Sequence, residues 1–301
     1  MLTNFEELRR EAAQKGRKRV GIPWAMDKTA IMAAYKSWKL GISAPVLLGE
    51  KARIEELMKE LEVEEMEAEI IEATSPEEAG EKAVAMAREG ELSVLLKGAL
   101  RTDQFLRPAL DKEKGLRTGR LLSDVFFAED PTHDRNKIIG MSDGGVNILP
   151  TLEQKVEIVK NAIEVFHKLG IAKPKVALLA AVEVVNEKMP ATVDAAEIRK
   201  MWEKGEFPES IIEGPMALDI AVSKEAADKK KYKSEIAGDV DIFIVPSIEA
   251  GNIFGKSFTY YMKVPVGHVI VGARVPLLIP SRTESDEDKV NSIAIGTLVG
   301  D

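Results

Sequence analysis

The sequence contains no cysteine, and aromatic residues make up only 5% of its 301 positions. The absence of cysteine excludes disulfide bonds, metal sites built from thiolates and a cysteine nucleophile. No apolar run approaches the roughly 20 residues that a membrane helix needs, and the N-terminus lacks the apolar core of a signal peptide. We therefore expect a cytoplasmic protein with no membrane partner.

An excess of positive charge is also missing. The formal net charge is -8 and the sequence pI is about 5.3, which argues against nucleic acid as a partner, since such binding depends on neutralising phosphates. A local group of arginines could still hold a small anion. The 45% hydrophobic and 31% charged residues are typical of a globular protein, and the length favours two lobes.

Short aliphatic runs alternate with segments of helical period in the first half of the chain. The runs are RVGIPWA, APVLLG, EAEIIEA, LSVLLKG, LLSDVFFAE and KIIGMS. Ser75 followed by proline and two glutamates predicts a helix start, and Thr151 with Gln154 predicts a capping box. This alternation predicts an α/β fold, with parallel or mixed sheet layers that carry helices on both faces.

A second set of strands follows a glycine-rich loop from Asp143 to Asn147. Its members are KVALLAAVEVV, IIEGPMALDIAV, VDIFIVPSI and VIVGARVPLLIP, and a last helix runs from Glu287 to about Leu298 with one apolar face. The pattern predicts two α/β lobes separated by a crevice. Ligands of such sheets bind beyond the carboxyl ends of the strands.

Conspicuous polar residues follow three of the predicted strands. Arg101 and Arg107 come after LSVLLKG, Gly251 comes after VDIFIVP, and Ser281 and Arg282 come after VPLLIP. Arginine forks match the paired oxygens of a phosphate, and helix N-termini offer free N–H groups to anions. The sequence therefore predicts an anion site assembled from these strand ends.

Simpler interpretations exist for each of these residues. Arg107 precedes a proline, which predicts a position outside helical geometry at the start of the next helix, but a lone arginine is often a surface ion-pair partner. Gly251 would let the backbone approach a ligand, yet with Asn252 it is also an ordinary turn pair. Asp288 follows Ser285 at capping-box spacing, so it could serve only to cap the last helix.

Other chemistries have weaker support. No G-x-G-x-x-G follows a strand, and no G-x-x-x-x-G-K-[ST] is present. The histidines are scattered, and Asp239 with Asp241 at a strand entrance is more typical of a turn than of a metal site. Ser281 has no convincing base for a role as covalent nucleophile. We therefore predict neither a metal nor a bound cofactor.

Longer motifs resemble the phosphate acetyl/butyryltransferase family, and most closely its phosphate butyryltransferase branch. They are KGALRTDQFLRPAL with GLRTGRLLS, VALLAAVEVVNEKMPATVDAA, GPMALDIAVSKEAA, EIAGDVDIFIVPSIEAGNIFGKSFTY and VPLLIPSRTESDEDKVNSIA. Several long motifs in the family's order make the resemblance specific, and it covers nearly the whole chain.

The resemblance implies a two-lobed fold like that of isocitrate and isopropylmalate dehydrogenases, with a cleft between the lobes. Its C-terminal helix would return to the first lobe, giving lobes of residues 1–142 with 281–301 and of residues 143–280. The implied reaction converts short-chain acyl-CoA and inorganic phosphate to acyl phosphate and CoA, by direct attack in a ternary complex. CoA is then a substrate and product rather than a cofactor, and the protein is expected to form a homo-oligomer.

The resemblance also implies roles for individual residues. Ser281 and Arg282 match the family's catalytic pair, and Asp288 matches an aspartate proposed as the base for the CoA thiol. The predicted substrate-binding residues are Arg107, matched to a phosphate-binding arginine, and Arg101, Gly251, Asn252 and Lys256. The alternatives are a phosphate acetyltransferase acting on acetyl-CoA, a non-catalytic relative that binds CoA or phosphate, and a metal- and NAD(P)-dependent dehydrogenase of the same architecture.

Overall fold

The computed structural model of the chain describes residues 3–132, 136–281 and 283–300. The chain divides into two compact units. The terminal unit comprises Phe5–Arg120 and Gly267–Asp301, and the central unit comprises Leu121–Val266 with Met1–Asn4. The lobe boundaries predicted from the sequence, at 142/143 and 280/281, lie later in the chain than the observed ones, which follow Arg120 and Val266. Residues 140–142 pair with residues 242–244 and therefore belong to the central unit. Residues 277–278 pair with residues 95–96 and therefore belong to the terminal unit.

The sheet of the terminal unit has the strand order β3-β2-β1-β4-β11-β10. Neighbouring strands are parallel except β10 and β11, which are antiparallel. The strands are β1 (Lys18–Pro23), β2 (Ser43–Gly49), β3 (Glu69–Glu72), β4 (Val94–Leu96), β10 (Val266–Val271) and β11 (Leu277–Leu278). The helices are α1 (Phe5–Gln14), α2 (Lys28–Lys39), α3 (Lys51–Glu60), α4 (Pro76–Arg88), α5 (Thr102–Ala109) and α11 (Asp286–Val299).

The segment predicted as one buried strand over residues 269–280 is two antiparallel strands, β10 and β11. Ile270 pairs with Leu277 across the turn, and Gly272 takes a φ of 99° in the left-handed region that favours glycine. Apolar composition alone does not reveal such a reversal, because both strands are buried. The reversal makes β11 run parallel to β4, which decides where Ser281 lies.

Helix α11 is buried on all sides rather than on one apolar face. Every residue from Lys289 to Val299 is buried, and the helix packs against α1, α2, β4 and β11. Its first turn is held by Arg9 and Lys36, whose side chains form ion pairs of 2.8 and 2.6 Å with Glu287. The chain end that carries the predicted catalytic motif is therefore anchored to the first helices of the same unit.

The sheet of the central unit has the strand order β5-β6-β9-β7-β8. Strands β5 and β6 are antiparallel, and the other neighbouring pairs are parallel. The strands are β5 (Ser123–Glu129), β6 (Ile138–Ser142), β7 (Lys175–Leu179), β8 (Ile211–Met216) and β9 (Ile242–Ile244). The helices are α6 (Leu152–Lys168), α7 (Pro190–Glu203), α8 (Leu218–Val222), α9 (Lys224–Lys229) and α10 (Ile248–Ser257), followed by a π-helical turn (Phe258–Met262).

Both predicted helix starts are confirmed. The Ser75 hydroxyl accepts the N–H of Glu78 at 3.1 Å at the start of α4. The Thr151 hydroxyl accepts the N–H of Gln154 at 3.3 Å, and the Gln154 side chain accepts the N–H of Thr151 at 2.9 Å. The α/β class with mixed sheets is confirmed as well. Within the described residues, none of the helices is both long and apolar enough to span a bilayer.

Candidate active site

Ser281 lies just beyond the carboxyl end of β11, beside the carboxyl end of β4. The two strands are parallel neighbours, with Leu278 opposite Leu96. The N–H of Lys97, the residue after β4, donates to the Leu278 carbonyl at 2.9 Å. Residues 97–100 and the start of the Ser281 motif therefore leave the sheet at the same edge, as expected for parallel strands.

A pocket of about 530 Å³ lies at this edge of the terminal sheet. Its size falls within the range of small-molecule sites. Its described lining combines lysine ammonium groups, backbone and a few apolar side chains: Met26, Asp27, Lys28, Lys97, Gly98, Ala99, Leu100, Pro280, Ser281 and Lys289. Ser281 is the one predicted site residue among these described lining residues.

Two lysines of the pocket are buried, although lysine is rarely fully buried. Lys97 is 7% exposed and Lys289 is 2% exposed. The Lys97 ammonium group donates to the carbonyl of Leu100 at 3.2 Å, and that of Lys289 donates to the carbonyl of Glu284 at 2.9 Å. Both groups thus place positive charge in the wall of the pocket that contains Ser281.

The shape of the pocket wall depends on a close approach between the ends of β1 and β4. A Cβ atom on Gly98 would lie 2.4 Å from the carbonyl oxygen of Trp24. Trp24 itself has a φ of 56°, and its carbonyl accepts the N–H of Ala99 at 2.9 Å. Glycine is therefore required at position 98 for steric reasons, and the backbone of residues 97–100 is fixed against β1.

A buried carboxylate supports the segment that follows Ser281. Glu284 is 7% exposed; its N–H donates to the Ser281 carbonyl at 3.1 Å, and its Oε1 lies 3.1 Å from Nε2 of His268. Burial acts to raise the pKa of Glu284. The charge and hydrogen bond of His268, a hydrogen bond from the Ser281 backbone and the charge of Lys289 together outweigh it, so the pKa is lower than the ordinary value of 4.5. Glu284 thus links β10 to the backbone that carries Ser281.

Replacing Glu284 with Gln should destabilise the protein in a pH-dependent manner. Because the folded-state pKa lies below that of the unfolded chain, the carboxylate contributes stability that is present above pH 4.5. This contribution is lost as the pH falls through the folded-state pKa. The stability difference between the parent and Glu284→Gln, measured by denaturant unfolding between about pH 3 and 6, should shrink on acidification. Glu203→Gln on the surface of α7 is the control, and a difference that stays constant over this range would contradict the assignment.

Asp288 forms the capping box that its spacing predicts. Its carboxylate accepts the Ser285 hydroxyl at 2.6 Å and the Ser285 N–H at 3.3 Å, and its own N–H donates to the Ser285 hydroxyl at 3.1 Å. The capping interpretation is therefore confirmed. Its carboxylate is only partly buried, so a second role remains compatible with this geometry.

The predicted arginines have different environments. Arg282 lies outside the described residues. Arg101 is exposed and forms an ion pair of 2.9 Å with Asp103. Arg107 is exposed within the last turn of α5, so its predicted position at a helix start is wrong. The following proline, Pro108, lies inside the same helix, which ends at Ala109.

The three predicted residues of the central unit all lie within α10. Gly251 is buried in the second turn, where a Cβ atom would lie 2.7 Å from Cα of Gly144. This glycine therefore allows close packing of α10 on the loop after β6, and its predicted place in a turn before the helix is wrong. Asn252 and Lys256 are exposed on the same helix.

Asp143 organises the loop with which Gly251 is in contact. Its carboxylate accepts the N–H groups of Gly145 at 2.8 Å and Val146 at 2.9 Å. Burial raises the pKa of Asp143, the neighbouring charge of Asp124 raises it further, and the backbone N–H groups act in the opposite direction. The loop predicted as a seam between lobes is thus a tightly hydrogen-bonded structure inside the central unit.

Asp239 and Asp241 bind lysines. The buried ammonium group of Lys137 lies 2.8 Å from a carboxylate oxygen of each, and Lys175 pairs with Asp239. Across the described ranges, no group of histidine and acidic side chains has the arrangement of a metal site. These two acids therefore serve in a structural ion-pair network.

Lys97 and Lys289, which line the pocket beside Ser281, were not predicted from the sequence. A signal was available for Lys97, which follows the apolar run of β4 at the carboxyl end of the strand. Lys289 begins the fully buried part of α11, where a lysine is rare unless its charge or hydrogen bonds are used. Neither signal specifies that both lysines line the same pocket.

The comparisons with known proteins agree on one family. The family model described as Phosphate acetyl/butaryl transferase matches residues 77–297. A phosphate butyryltransferase of Clostridium acetobutylicum is 38% identical over 99% of both chains, and a phosphate acetyltransferase of Thermotoga maritima is 40% identical over 98% of this chain and 99% of the relative.

A solved structure leads to the same result. The branched-chain phosphotransacylase from Enterococcus faecalis superposes with a TM-score of 0.82 at 32% identity, covering 94% of this chain and 99% of that one. The α/β fold and the resemblance predicted from the motifs are thereby confirmed. The chain belongs to the phosphate acetyl/butyryl transferase family.

Proposed function

We propose that the protein is a phosphate acyltransferase that transfers a short acyl group from CoA to inorganic phosphate, releasing acyl phosphate and CoA. The observation that carries the proposal is the pocket at the carboxyl ends of β4 and β11, where Ser281 lies with two buried lysines. Membership of the family supplies the reaction class, and the pocket supplies fixed positive charge for an anionic substrate.

The chemistry needs positioning and charge more than a covalent catalyst. Phosphate is already ionised near neutral pH, and its oxygen attacks the thioester carbonyl while the C–S bond breaks. Holding both anionic substrates in the correct geometry, with fixed donors near the developing oxyanion, removes much of the barrier. The leaving thiolate is the conjugate base of a thiol with a pKa of about 8.5, so it does not need immediate protonation.

The residues of the Ser281 motif fit distinct parts of this reaction. The Ser281 hydroxyl would donate to the developing oxyanion, and Arg282 would bind phosphate. In the reverse direction CoA must lose its thiol proton before it attacks acyl phosphate, and Asp288 would act as the base for that step. The observed contact of Asp288 with Ser285 is compatible with such a role, because a carboxylate has several acceptor positions.

The proposal also includes three expectations that come from the family resemblance and the sequence. They are an isocitrate dehydrogenase-like two-lobed arrangement with a cleft, a homo-oligomeric state and a cytoplasmic location. The substrate-binding roles of Arg107, Arg101, Gly251, Asn252 and Lys256 depend on that arrangement and remain predictions.

An assay of CoA release tests the proposal. Purified protein incubated with butyryl-CoA should release CoA only when phosphate is present, and hydroxylamine should trap an equal amount of acyl phosphate. Release without phosphate would indicate a thioesterase, and CoA binding without turnover would indicate a non-catalytic relative. Reduction of NAD(P) in the presence of a divalent metal would instead support the dehydrogenase alternative.

The preferred acyl chain requires a separate experiment. Similar identities to a butyryltransferase and an acetyltransferase do not distinguish the two, and each methylene in an apolar pocket is worth only about 1–3 kcal/mol. A panel of acetyl-, propionyl-, butyryl- and branched-chain acyl-CoA at constant phosphate ranks the substrates by kcat/KM. A clear maximum at acetyl-CoA would favour the phosphate acetyltransferase alternative.

A further inference from the structure

Glu284 is joined to three other parts of the terminal unit just after the chain leaves β11. Its N–H donates to the carbonyl of Ser281 at 3.1 Å, which closes a turn between the two residues. Its Oε1 atom lies 3.1 Å from Nε2 of His268 on β10. Its carbonyl accepts the ammonium group of Lys289 on α11 at 2.9 Å. The backbone that follows Ser281 is therefore connected to a strand on one side and to a helix on the other.

The carboxylate of Glu284 is buried and charged. Burial acts to raise its pKa, but His268, a hydrogen bond from the Ser281 backbone and the charge of Lys289 keep the pKa below 4.5, so the group is ionised near neutral pH. A buried charge is unfavourable unless hydrogen bonds and opposite charge compensate it. Two of the residues that compensate it, Ser281 and Lys289, line the pocket, so the charge of Glu284 is linked to the candidate site.

The partners of Glu284 are themselves held in place. The N–H of His268 donates to the Ser292 hydroxyl on α11 at 2.9 Å, and β10 pairs with β11. Lys289 is 2% exposed. Glu284 thus connects Ser281 to a paired strand and a buried helix, rather than to side chains that move freely in solvent.

We propose that Glu284, held by His268, is a positioning residue for the acyl transfer: its carboxylate fixes the backbone of Ser281 so that the Ser281 hydroxyl meets the developing oxyanion. The inference rests on the proposed function. Glu284 contacts no reacting atom, so its effect on the rate passes through Ser281. Neither Glu284 nor His268 is part of the Ser281, Arg282 and Asp288 set that the family resemblance implies.

The expected effect is on the rate of the chemical step rather than on substrate affinity. A donor to an oxyanion is effective only at hydrogen-bond distance from the atom on which charge develops. A displacement of about 1 Å can therefore cost up to about 10²-fold in rate. Because this interaction is strongest in the transition state, its loss lowers kcat more than it changes KM.

The first test is Glu284→Gln in the full-length protein. Glutamine is similar in size and removes the charge that His268 and Lys289 compensate. We expect kcat for CoA release to fall about tenfold, with the KM values for phosphate and butyryl-CoA changed by less than about twofold. Glu203→Gln on α7 is the control and should leave all three constants unchanged. If Glu284→Gln does not fold, His268→Gln weakens the same contact from β10 and should lower kcat in the same way.

A double-mutant cycle with Ser281→Ala separates positioning from a general loss of structure. Ser281→Ala alone should lower kcat about 10²-fold. Adding Glu284→Gln should lower kcat no further, because the hydroxyl that it positions is gone. Independent effects would multiply to a loss of about 10³-fold, and that result would overturn the proposal.

A structural measurement does not depend on turnover. In a crystal structure of Glu284→Gln, Ser281 should be displaced by about 1 Å from its place in the parent, while β10 and α11 superpose. Ser281 in the parent position with an unchanged kcat would overturn the positioning role and leave the acyltransferase function in place. A parent protein that releases no CoA would contradict the proposed function, and the displacement of Ser281 would still decide whether Glu284 positions it.

Discussion

Replacing Arg282 with alanine should lower the rate of phosphate-dependent CoA release by about 10²–10³-fold, which is the typical cost of removing one fixed donor at a developing charge. Arg282 follows Ser281 directly in the sequence, and Ser281 lines the pocket that contains two buried lysines. Phosphate must be held against electrostatic repulsion from CoA, so each cation next to it matters for the rate. The measurement is kcat/KM with butyryl-CoA at saturating phosphate.

Two matched variants separate charge from geometry. Arg282→Lys keeps the charge but loses the planar fork that binds two phosphate oxygens, so it should recover only part of the activity. Arg199→Ala removes an arginine from an exposed ion pair on α7 and should leave the rate unchanged. All three proteins should retain the melting temperature of the parent. An Arg282→Ala protein as active as the parent would refute the assigned role.

The second large effect is expected for Gly98→Ala. The new Cβ atom would lie 2.4 Å from the Trp24 carbonyl oxygen and 2.6 Å from that of Pro23, and backbone atoms cannot move aside as the end of a side chain can. The segment from Lys97 to Leu100 must therefore shift. A displacement of about 1 Å in a site can cost about 10²-fold in rate, and overpacking costs about 1–3 kcal/mol of stability.

Gly80→Ala is the matched control for this prediction. Gly80 lies in α4, where a Cβ atom would meet the side chain of Pro108 at an ordinary distance of 3.4 Å. Alanine is also favoured over glycine within a helix by about 1 kcal/mol, so this variant should be as stable as the parent or more stable, with full activity. If Gly98→Ala were as active and as stable as Gly80→Ala, the ends of β1 and β4 would not be rigid.

The general position of the site could be predicted from the sequence. Alternation of apolar runs and helical segments predicts parallel strands, and the carboxyl ends of such strands meet at one edge. The prediction that Ser281 follows a strand end is met, since it lies beyond β11 and lines a pocket. Lys97, which follows β4, could have been found by the same rule. The capping boxes at Thr151 and Ser285 were also predictable, because they depend on local spacing alone.

The remaining features depend on contacts between distant parts of the chain. Gly251 was predicted to precede its helix but lies inside α10, where it packs on Gly144. A glycine needed for close helix packing looks the same in a sequence as one needed for a turn. Lys97 and Lys289 line one pocket because the chain reverses between β10 and β11. After this reversal β11 runs parallel to β4, and α11 packs on α1 and α2. An apolar run contains no signal for such a reversal.

The most direct test of the account is whether labelled CoA exchanges into butyryl-CoA when phosphate is absent. The proposed mechanism has phosphate itself attacking the thioester, in a chain that has no cysteine and in which the Ser281 hydroxyl lies 3.1 Å from the hydroxyl of Thr283, a group that is no base. It predicts no exchange without phosphate, and exchange once phosphate is supplied. Rapid exchange in the absence of phosphate would reveal an acyl-enzyme intermediate and contradict direct attack.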